Sequence, residues 1–288
     1  MKFSEKVKRK IDVELRSRLH IMDSTETIRY VLSKNCSVSR FGDGEFKLMC
    51  DHKDLRFQPY SGELRARMED VLKNRPDGLL ICVPYGMNHV RPYNSRAEEF
   101  WKNWRWFHLP ETAAMLRDFC GDYTFGDTLV TRPYIDYRNS DNAKIVFPML
   151  EKLWKDREIL LVEGKETRMG IGNDLLDGAG SVKRILGPGK NAFAVYDELL
   201  QAVLSNWHGE LVLLALGPTA TVLACDLCRH GIRALDVGHM DIEYEWYRSG
   251  ARDKTLIRGK YVNEVPDNVA TEECRDEAYL SQIIATVG

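Results

Sequence analysis

The chain has 288 residues, with 41 basic and 43 acidic side chains and a formal net charge of −2. This near balance, without a basic block, argues against binding of nucleic acid or another polyanion. The apolar fraction of 44% is ordinary for a folded globular protein, and the length suits one large domain or two unequal lobes.

The seven cysteines are scattered along the chain. Their odd number in so long a chain predicts reduced thiols and a cytoplasmic location rather than a disulfide framework. No run approaches the roughly 20 apolar residues that cross a bilayer. We therefore expect no transmembrane segment, and any membrane association would come through partners.

Charged and apolar residues mix in the first 22 residues, which we expect to form a charged helical arm, with an amphipathic helix over residues 4–20. A single domain is expected from residue 23 to residue 288, because no repeat, low-complexity tract or linker divides it. Ser24 offers an N-cap for the helix that follows.

A short β-like run, Ser37–Phe41, leads into the turn Arg-Phe-Gly-Asp-Gly-Glu at residues 40–45. A glycine precedes each of the acids Asp43 and Glu45, and the pattern suits neither a continuing strand nor a helix. Two carboxylates one residue apart repel each other unless a cation lies between them, and hard divalent ions prefer oxygen ligands. We expect a loop that holds a metal, a substrate or both; a solvated acidic turn is the alternative.

Apolar spacing predicts a helix over residues 62–75, and the apolar run Leu79–Val83 predicts a strand covered on both faces. This order of elements suits a βαβ crossover and a parallel sheet. In the aromatic-rich segment that follows, Phe100, Trp104 and Phe107 have the spacing of one helical face. Packing against the core is expected there, with a sugar-stacking or membrane-surface patch as the alternative.

Residues 127–132 are expected to form a strand that ends in Arg132, and residues 141–155 a helix. An arginine at the carboxyl end of a strand suits an anionic ligand, because ligands of open α/β sheets bind in the crevice there. A surface salt bridge is the alternative.

The run Glu158–Gly164 predicts a second buried strand, followed by a loop with glycines and basic residues and then a helix. That geometry presents backbone N–H groups to a phosphate, although the spacing matches neither the dinucleotide fingerprint nor the P-loop. Further on, Leu211–Leu216 predicts a strand that ends in Gly217. The next helix begins with a turn in which Thr219 can cap the helix or bond a phosphate oxygen.

After a final predicted strand over residues 231–238, four acid/base groups fall on alternate positions: His239, Asp241, Glu243 and Glu245. An extended segment would point all four side chains the same way. A solvated edge strand is the alternative.

Beyond Ser249 the chain becomes polar, and residues 250–277 are expected to form a loop or lid before a short C-terminal helix. Taken together, the elements predict an α/β fold, with a Rossmann-like, mostly parallel sheet flanked by helices.

Four segments, in their order and combination, resemble the bacterial GT-D-type glycosyltransferases, a family first catalogued as a domain of unknown function. They are Arg-Phe-Gly-Asp-Gly-Glu, Thr-Arg-Pro-Tyr, Glu-Gly-x-x-x-Arg-x-Gly-x-Gly-Asn-Asp-Leu and Gly-His-x-Asp-Ile-Glu-Tyr-Glu-Trp. The resemblance implies a Rossmann-like GT-D fold and a nucleotide-sugar donor, commonly a UDP-sugar such as UDP-glucose. It also implies an Asp-x-Glu motif that works with a divalent metal, usually Mn²⁺ and alternatively Mg²⁺. The acceptor would be a glycan or glycoconjugate, as in polysaccharide biosynthesis.

Transfer from such a donor requires stabilisation of a departing diphosphate and a base for the acceptor hydroxyl. By position in the resemblance, Asp43 and Glu45 are expected to hold the metal and to act in catalysis. The candidates for the base are His239, Asp241 and Glu243, of which Asp241 or Glu243 is favoured, with His239 as a nucleotide or metal contact. The residues expected to contact the nucleotide or its phosphates are Arg40, Gly42, Arg132, Arg168, Gly170, Gly172, Asn173, Gly217, Thr219 and His239.

Two other functions fit the same residues. A sugar-nucleotide hydrolase or phosphotransferase would use the metal-and-phosphate site with water as the acceptor. A non-catalytic nucleotide-sugar-binding subunit of a polysaccharide assembly complex would bind without turnover. The donor sugar, the acceptor, the stereochemical outcome and a homo-oligomeric state are left open by the sequence.

Overall fold

A computed structural model describes residues 19–265 and 273–288. Within these residues the strands form one nine-stranded sheet, in which neighbouring strands are parallel. This confirms the predicted α/β fold with a Rossmann-like sheet. The strands are β1 (His20–Ile21), β2 (Ser37–Arg40), β3 (Leu79–Val83), β4 (Thr124–Asp127), β5 (Glu158–Gly164), β6 (Ser181–Gly187), β7 (Leu211–Ala215), β8 (Ala234–Asp236) and β9 (Ile283–Thr286).

Helices connect the strands and cover both faces of the sheet. They are α1 (Ser24–Lys34), α2 (Asp43–Phe46), α3 (Gly62–Lys73), α4 (Ser95–Phe107), α5 (Leu109–Cys120), α6 (Asp141–Glu151), α7 (Tyr196–Asn206), α8 (Pro218–Arg229), α9 (Met240–Ser249) and α10 (Glu277–Gln282). In the part of the chain that the structure describes, no helix has both the length and the apolar character needed to span a bilayer.

Strand β5 shows how the sheet is buried on both faces. Ile159 and Leu161 pack into the apolar core beneath α1 and α6, whereas Leu160 and Val162 pack into the core beneath α3 and α8. All four side chains are fully buried. Because successive side chains of a strand point to opposite faces, a continuous apolar run is what a doubly covered strand requires.

The order of strands in the sheet is β1-β4-β3-β2-β8-β7-β5-β6-β9. At its centre β2 lies between β3 and β8, where Val38 pairs with Leu80 on one side and Leu235 on the other. From β2 the chain continues outward through β3 and β4, while β8 arrives on the other side from the later half of the chain. Such a reversal opens a crevice at the carboxyl ends of the strands, and the candidate site lies there.

The strand predicted over residues 127–132 is wrong. Strand β4 ends at Asp127, whose side chain accepts a hydrogen bond from the backbone N–H of Leu129 at 2.9 Å. This cap begins a 3₁₀ turn over Thr128–Thr131, so Arg132 follows a turn rather than a strand.

The helix predicted after the β5 loop is also absent. Residues 165–176 form successive turns instead.

The extended segment predicted from His239 onward is a helix, α9. Asp241 and Glu243 are 1% and 0% exposed, so these acids are buried as deeply as the apolar residues between them. An alternation of acids and apolar residues therefore does not separate an exposed from a buried face here. Residues two apart on a helix do not face each other, so the acids do not point the same way.

Two terminal segments also differ from expectation. His20–Ile21, assigned to the helical arm, pair with β4 and lie in the sheet, because their backbone groups complete its edge. The rest of the predicted arm, through residue 18, lies outside the described residues. At the other end, Ile283–Thr286 form β9 beside β6, where the sequence predicted only a helix.

The aromatic face predicted for α4 shares only Trp104 with the face that is buried. Trp101 and Trp104 are the buried rings, whereas Phe100 and Phe107 are 46% and 72% exposed. Trp101 fits against the backbone after β3 because Gly86 has no side chain: a Cβ there would lie 2.4 Å from the indole. The core-packing interpretation thus holds for the two tryptophans and not for the phenylalanines.

Candidate active site

A cleft of about 320 Å³ opens at the carboxyl ends of the central strands. Its walls come from the turns after β2 to β8, from the loop over residues 55–58 and from a C-terminal stretch that includes residues 261–264. Part of the predicted site lines this cleft: Arg40, Gly42, Asp43, Glu45, Arg132, Gly217 and His239.

The acidic turn after β2 is helical, contrary to the sequence expectation. Asp43–Phe46 form the single turn of α2, which continues into a π-helical turn over Lys47–Asp51. A helix tolerates both acids because they lie in its first turn, where the backbone N–H groups favour negative charge. Glu45 reaches back so that its Oε2 accepts a hydrogen bond from Gly42 N at 2.7 Å.

The two acids of this turn differ in how far their carboxylate groups are exposed to the cleft and already hydrogen-bonded. Glu45 uses one oxygen on the backbone of Gly42, and burial raises the pKa of its carboxyl to about 7. Asp43 is exposed to the cleft. The cleft walls around it raise the pKa of its carboxyl, and the nearby Arg132 guanidinium opposes that rise. Asp43 is thus the more open carboxylate of the pair.

Arg40 lines the cleft, but its terminal nitrogens already bind protein groups. Its Nη1 donates to Thr128 O at 3.0 Å and to Thr131 Oγ1 at 2.8 Å, and its Nη2 donates to Asp236 Oδ1 at 2.9 Å. Gly238 makes room for it, because a Cβ there would lie 1.9 Å from Nη2. Arg40 therefore ties the ends of β2, β4 and β8 together.

Arg132 has donors left over. Its Nη1 lies 2.8 Å from Glu264 Oε1, whereas its Nε and Nη2 have no hydrogen-bond partner among the described residues. Burial alone would lower the pKa of Arg132, but Glu264 and Glu243 raise it above its ordinary value. Nε lies 3.8 Å from Glu243 Oε2 and Nη2 lies 4.0 Å from Asp136 Oδ2, so the side chain is a permanent cation held among three carboxylates at the cleft.

His239 and Glu264 form a second polar contact in the cleft. His239 is about one-third exposed, and its Nδ1 lies 3.3 Å from Glu264 Oε2. Burial would raise the pKa of Glu264, but Arg132 and His239 outweigh it and hold that pKa well below its usual range. The carboxylate of Glu264 therefore contacts both the Arg132 guanidinium and the His239 imidazole.

Sequence reasoning missed several residues of the cleft. Phe57 and Gln58 come from the loop before α3, and Tyr261, Asn263 and Glu264 from the segment after α9. These loops have no periodic pattern, so their approach to the cleft depends on long-range contacts. The expectation of a lid over residues 250–277 was the one available signal for the second group.

The remaining predicted residues lie behind the cleft wall. Asp241 Oδ1 accepts hydrogen bonds from Gly170 N and Asn173 Nδ2, each at 2.8 Å, and its Oδ2 lies 2.6 Å from Lys260 Nζ. Glu243 Oε1 accepts from the backbone N–H groups of Tyr134 and Ile135, also at 2.8 Å each. Arg168, Gly172 and Thr219 likewise do not line the cleft.

No group of three or more His, Cys, Asp or Glu side chains within residues 19–265 and 273–288 is arranged to hold a metal ion. The cleft does offer Asp43, open to the cavity, and Glu45, with one oxygen not bonded to Gly42. These donors fit a Mg²⁺-like or Mn²⁺-like ion that takes one or two carboxylates and completes its shell with ligand oxygens and water. They do not fit a cage built from protein side chains alone.

The chain was compared with protein families, curated proteins and solved structures. The model of the glycosyltransferase GT-D fold family matches residues 38–265. Glycosyltransferase GlyD of Streptococcus pneumoniae is 39% identical over 264 residues, which cover 91% of this chain and 32% of that protein. The probable glycosyl transferase Gly of Streptococcus gordonii is 37% identical over 271 residues, covering 94% of this chain and 39% of that protein. The chain thus spans a third to two-fifths of these relatives' length.

Among solved structures, the domain of unknown function 1792, described as having a distinct glycosyltransferase fold, superposes with a TM-score of 0.89 at 35% identity. The match covers 98% of this chain and all of that one. A glycosyltransferase of the same domain type from Streptococcus sanguinis superposes with a TM-score of 0.86 at 36% identity, covering 94% of this chain and all of the other. With the family model spanning most of its length, this chain belongs to the glycosyltransferase GT-D fold family.

Proposed function

We propose that this glycosyltransferase domain transfers a sugar from a UDP-sugar, such as UDP-glucose, to a hydroxyl group of a glycan or glycoconjugate, with a divalent ion held by Asp43 and Glu45. One observation carries the proposal. An open carboxylate on α2 and an arginine with unpartnered N–H groups line the same cleft at the switch point of the sheet.

The chemistry required of the cleft is neutralisation of a departing diphosphate. Arg132 lines the cleft and supplies a fixed positive charge there. A bound divalent ion, Mn²⁺ or Mg²⁺, would supply Lewis-acid stabilisation of the same charge. Asp43 and Glu45 would hold that ion, with Asp43 as the more open ligand. Gly217 remains a candidate for the nucleotide side of the cleft.

The acceptor hydroxyl must lose a proton during transfer, and its base must lie in the cleft. Asp241 and Glu243 do not meet that condition, because both are buried behind the wall and bonded to protein groups. His239 meets it, and Glu264 beside Nδ1 can orient the imidazole and leave Nε2 for the acceptor. We assign the base to His239 on this geometry.

The proposal is tested by incubating the domain with UDP-sugars and a panel of acceptor glycans, with Mn²⁺ or with excess chelator, and measuring UDP release and glycan product. We expect release that requires both the acceptor and the metal. Equal release without any acceptor would identify a hydrolase. Tight donor binding without turnover would identify a non-catalytic subunit, and full transfer in excess chelator would exclude the metal.

A further inference from the structure

The C-terminal wall of the cleft has no helix or strand of its own. It is formed by residues 257–265, here called the strap, which carry Tyr261, Asn263 and Glu264 into the cleft. A segment outside regular structure lacks the hydrogen-bond ladder that fixes a strand or helix. Its position must therefore be set by individual anchoring contacts.

Lys260 is the most deeply buried charged residue of the strap. It is 4% exposed, and its ammonium lies 2.6 Å from Asp241 Oδ2 and 3.1 Å from Glu245 Oε1. These two acids are one turn apart on α9, so they hold the ammonium from the same face of the helix. A lysine is almost never this buried unless it is paired. Lys260 itself does not line the cleft.

The same acids also bind the turn segment after β5. Asp241 Oδ1 accepts from Gly170 N, and Asn173 Nδ2 donates to both Asp241 Oδ1 at 2.8 Å and Glu245 Oε1 at 2.7 Å. The polar groups that the sequence suggested as a base and a nucleotide contact thus form one buried network. That network joins the strap, α9 and the turn segment.

Further contacts tie the strap on either side of Lys260. Arg168 Nη1 donates to Gly259 O at 2.8 Å, and Tyr261 N donates to Glu166 O at 3.0 Å. Val262 is fully buried and packs with Trp246 of α9. Of these anchors, Lys260 alone places a buried charge between two carboxylates, so removing it has the largest electrostatic consequence.

We propose that Lys260 is a positioning residue for the transfer reaction: its ion pairs with Asp241 and Glu245 fix the strap, and the strap holds Glu264 against Arg132 and His239. This inference rests on the proposed function for its kinetic readout. It assigns Asp241 a structural part in the reaction, acting through Lys260 and not on the substrate.

The test is the substitution Lys260→Met, which keeps the length of the side chain and removes its charge. We expect kcat/KM to fall roughly 10²-fold, the effect of a misplacement of about 1 Å at an active site. The KM for the UDP-sugar should rise as well, because the strap lines the cleft. A purely structural defect would lower the active fraction, and therefore kcat, with KM unchanged.

Limited proteolysis gives a second readout that does not depend on activity. Arg258 lies on the exposed part of the strap, two residues before the anchor. Trypsin should cleave after Arg258 faster in the Lys260→Met variant than in the wild-type domain, as followed by mass spectrometry. If neither kcat/KM nor this cleavage changes, the proposal is overturned.

Lys183→Met is the matched control. Lys183 Nζ lies 2.7 Å from the buried carboxylate of Glu210, away from the cleft, so this variant also removes the cation beside a buried acid that keeps a backbone hydrogen bond, here from His208 N. It should lose stability without changing the KM or the cleavage after Arg258. Equal changes in both variants would show that the effect of Lys260→Met is general destabilisation, and this would overturn the proposal.

If Lys260→Met does not fold, the triple variant Lys260→Met, Asp241→Asn, Glu245→Gln removes the two unpaired charges as well. Wild-type kcat/KM in the folded triple variant would overturn the proposal, whereas a raised KM and rapid cleavage would support it. If the wild-type domain transfers no sugar, the proposed function fails, and the proteolysis comparison still decides whether Lys260 holds the strap.

Discussion

Two acidic pairs with the same spacing lie at neighbouring places in this fold and have different environments. Asp43 and Glu45 follow β2, and Asp241 and Glu243 follow β8, the strand beside it. Each pair lies in the first turn of a helix and comes shortly after a glycine. Asp43 is exposed to the cleft, whereas Asp241 is 1% exposed.

The difference is in which hydrogen bonds are already made. Asp241 accepts two N–H donors and an ammonium, and Glu243 accepts two backbone N–H groups. In the first pair, Glu45 accepts one backbone N–H and Asp43 faces the cleft. Glu243 Oε2 also lacks a hydrogen-bond partner but is fully buried, so the comparison teaches that an acid-x-acid pattern is open to a ligand only where a carboxylate faces the cleft.

The largest effect is expected for Asp43→Asn. It should lower kcat/KM about 10³-fold, because it removes the proposed metal ligand. The free energy of unfolding should change by less than about 0.5 kcal/mol, as for an exposed side chain. Kinetics and urea unfolding measure both quantities. Asp118→Asn, which changes an exposed acid on α5, is the control. Unchanged kcat/KM in Asp43→Asn would show that the open carboxylate of the first pair has no part in the reaction.

Glu243→Ala, in contrast, should lower the stability of the fold more than the activity. It leaves the N–H groups of Tyr134 and Ile135 without their acceptor and removes a carboxylate 3.8 Å from Arg132. We expect a loss of about 3 kcal/mol in the free energy of unfolding. In folded protein, kcat/KM should fall far less than in Asp43→Asn. Wild-type stability combined with a 10³-fold kinetic loss would return Glu243 to the role of base.

A third buried acid extends the comparison to pH. Asp127 is fully buried, its Oδ2 accepts from Ser24 Oγ at 2.7 Å, and burial raises the pKa of its carboxyl to about 6. A raised acid pKa contributes stability that is present below the unfolded value and is lost as pH rises through the folded value. Asp127→Asn removes this dependence. The stability of the variant relative to wild type should therefore rise by about 2 to 3 kcal/mol between pH 4 and pH 7.

Urea unfolding of both proteins across that range measures the difference, and other titrating groups cancel in it. A difference that stays constant with pH would show that folding does not raise the pKa of Asp127.

The smallest effect separates two glycines of the predicted site. Gly172 has φ +77° with no atom within 4 Å of a Cβ, whereas at Gly238, with φ +50°, a Cβ would lie 1.9 Å from Arg40 Nη2. Gly172→Ala should cost only backbone strain, about 1 kcal/mol. Gly238→Ala should cost about 2 kcal/mol more, since Arg40 must leave Asp236. Equal losses in thermal unfolding would refute the clamp assigned to Arg40.

Much of the fold was predictable because its central strands are unbroken apolar runs. Leu79–Val83 and Leu211–Ala215 were assigned correctly since a doubly buried strand has no polar face to confuse the pattern. The pattern failed at α9, where buried acids alternate with apolar residues, and at β9, a short edge strand next to a helix.

The candidate site was predictable where it follows a strand directly, and at Arg132, which follows the 3₁₀ turn at the end of β4. Asp43 and Glu45 were found because a polar, glycine-rich turn interrupts the chain after β2. Glu264 and Lys260 were not, because they lie on the strap, whose place is set by contacts with residues 19 to 132 positions away. No local period in a sequence encodes such contacts.

The most direct test of the central claim is calorimetric titration of UDP into the wild-type domain and the Asp43→Asn variant, each with and without Mn²⁺. The account predicts that UDP binds the wild-type domain only when Mn²⁺ is present, and that Asp43→Asn weakens this binding at least tenfold. Equal UDP affinity in the two proteins, or binding that does not depend on Mn²⁺, would contradict it.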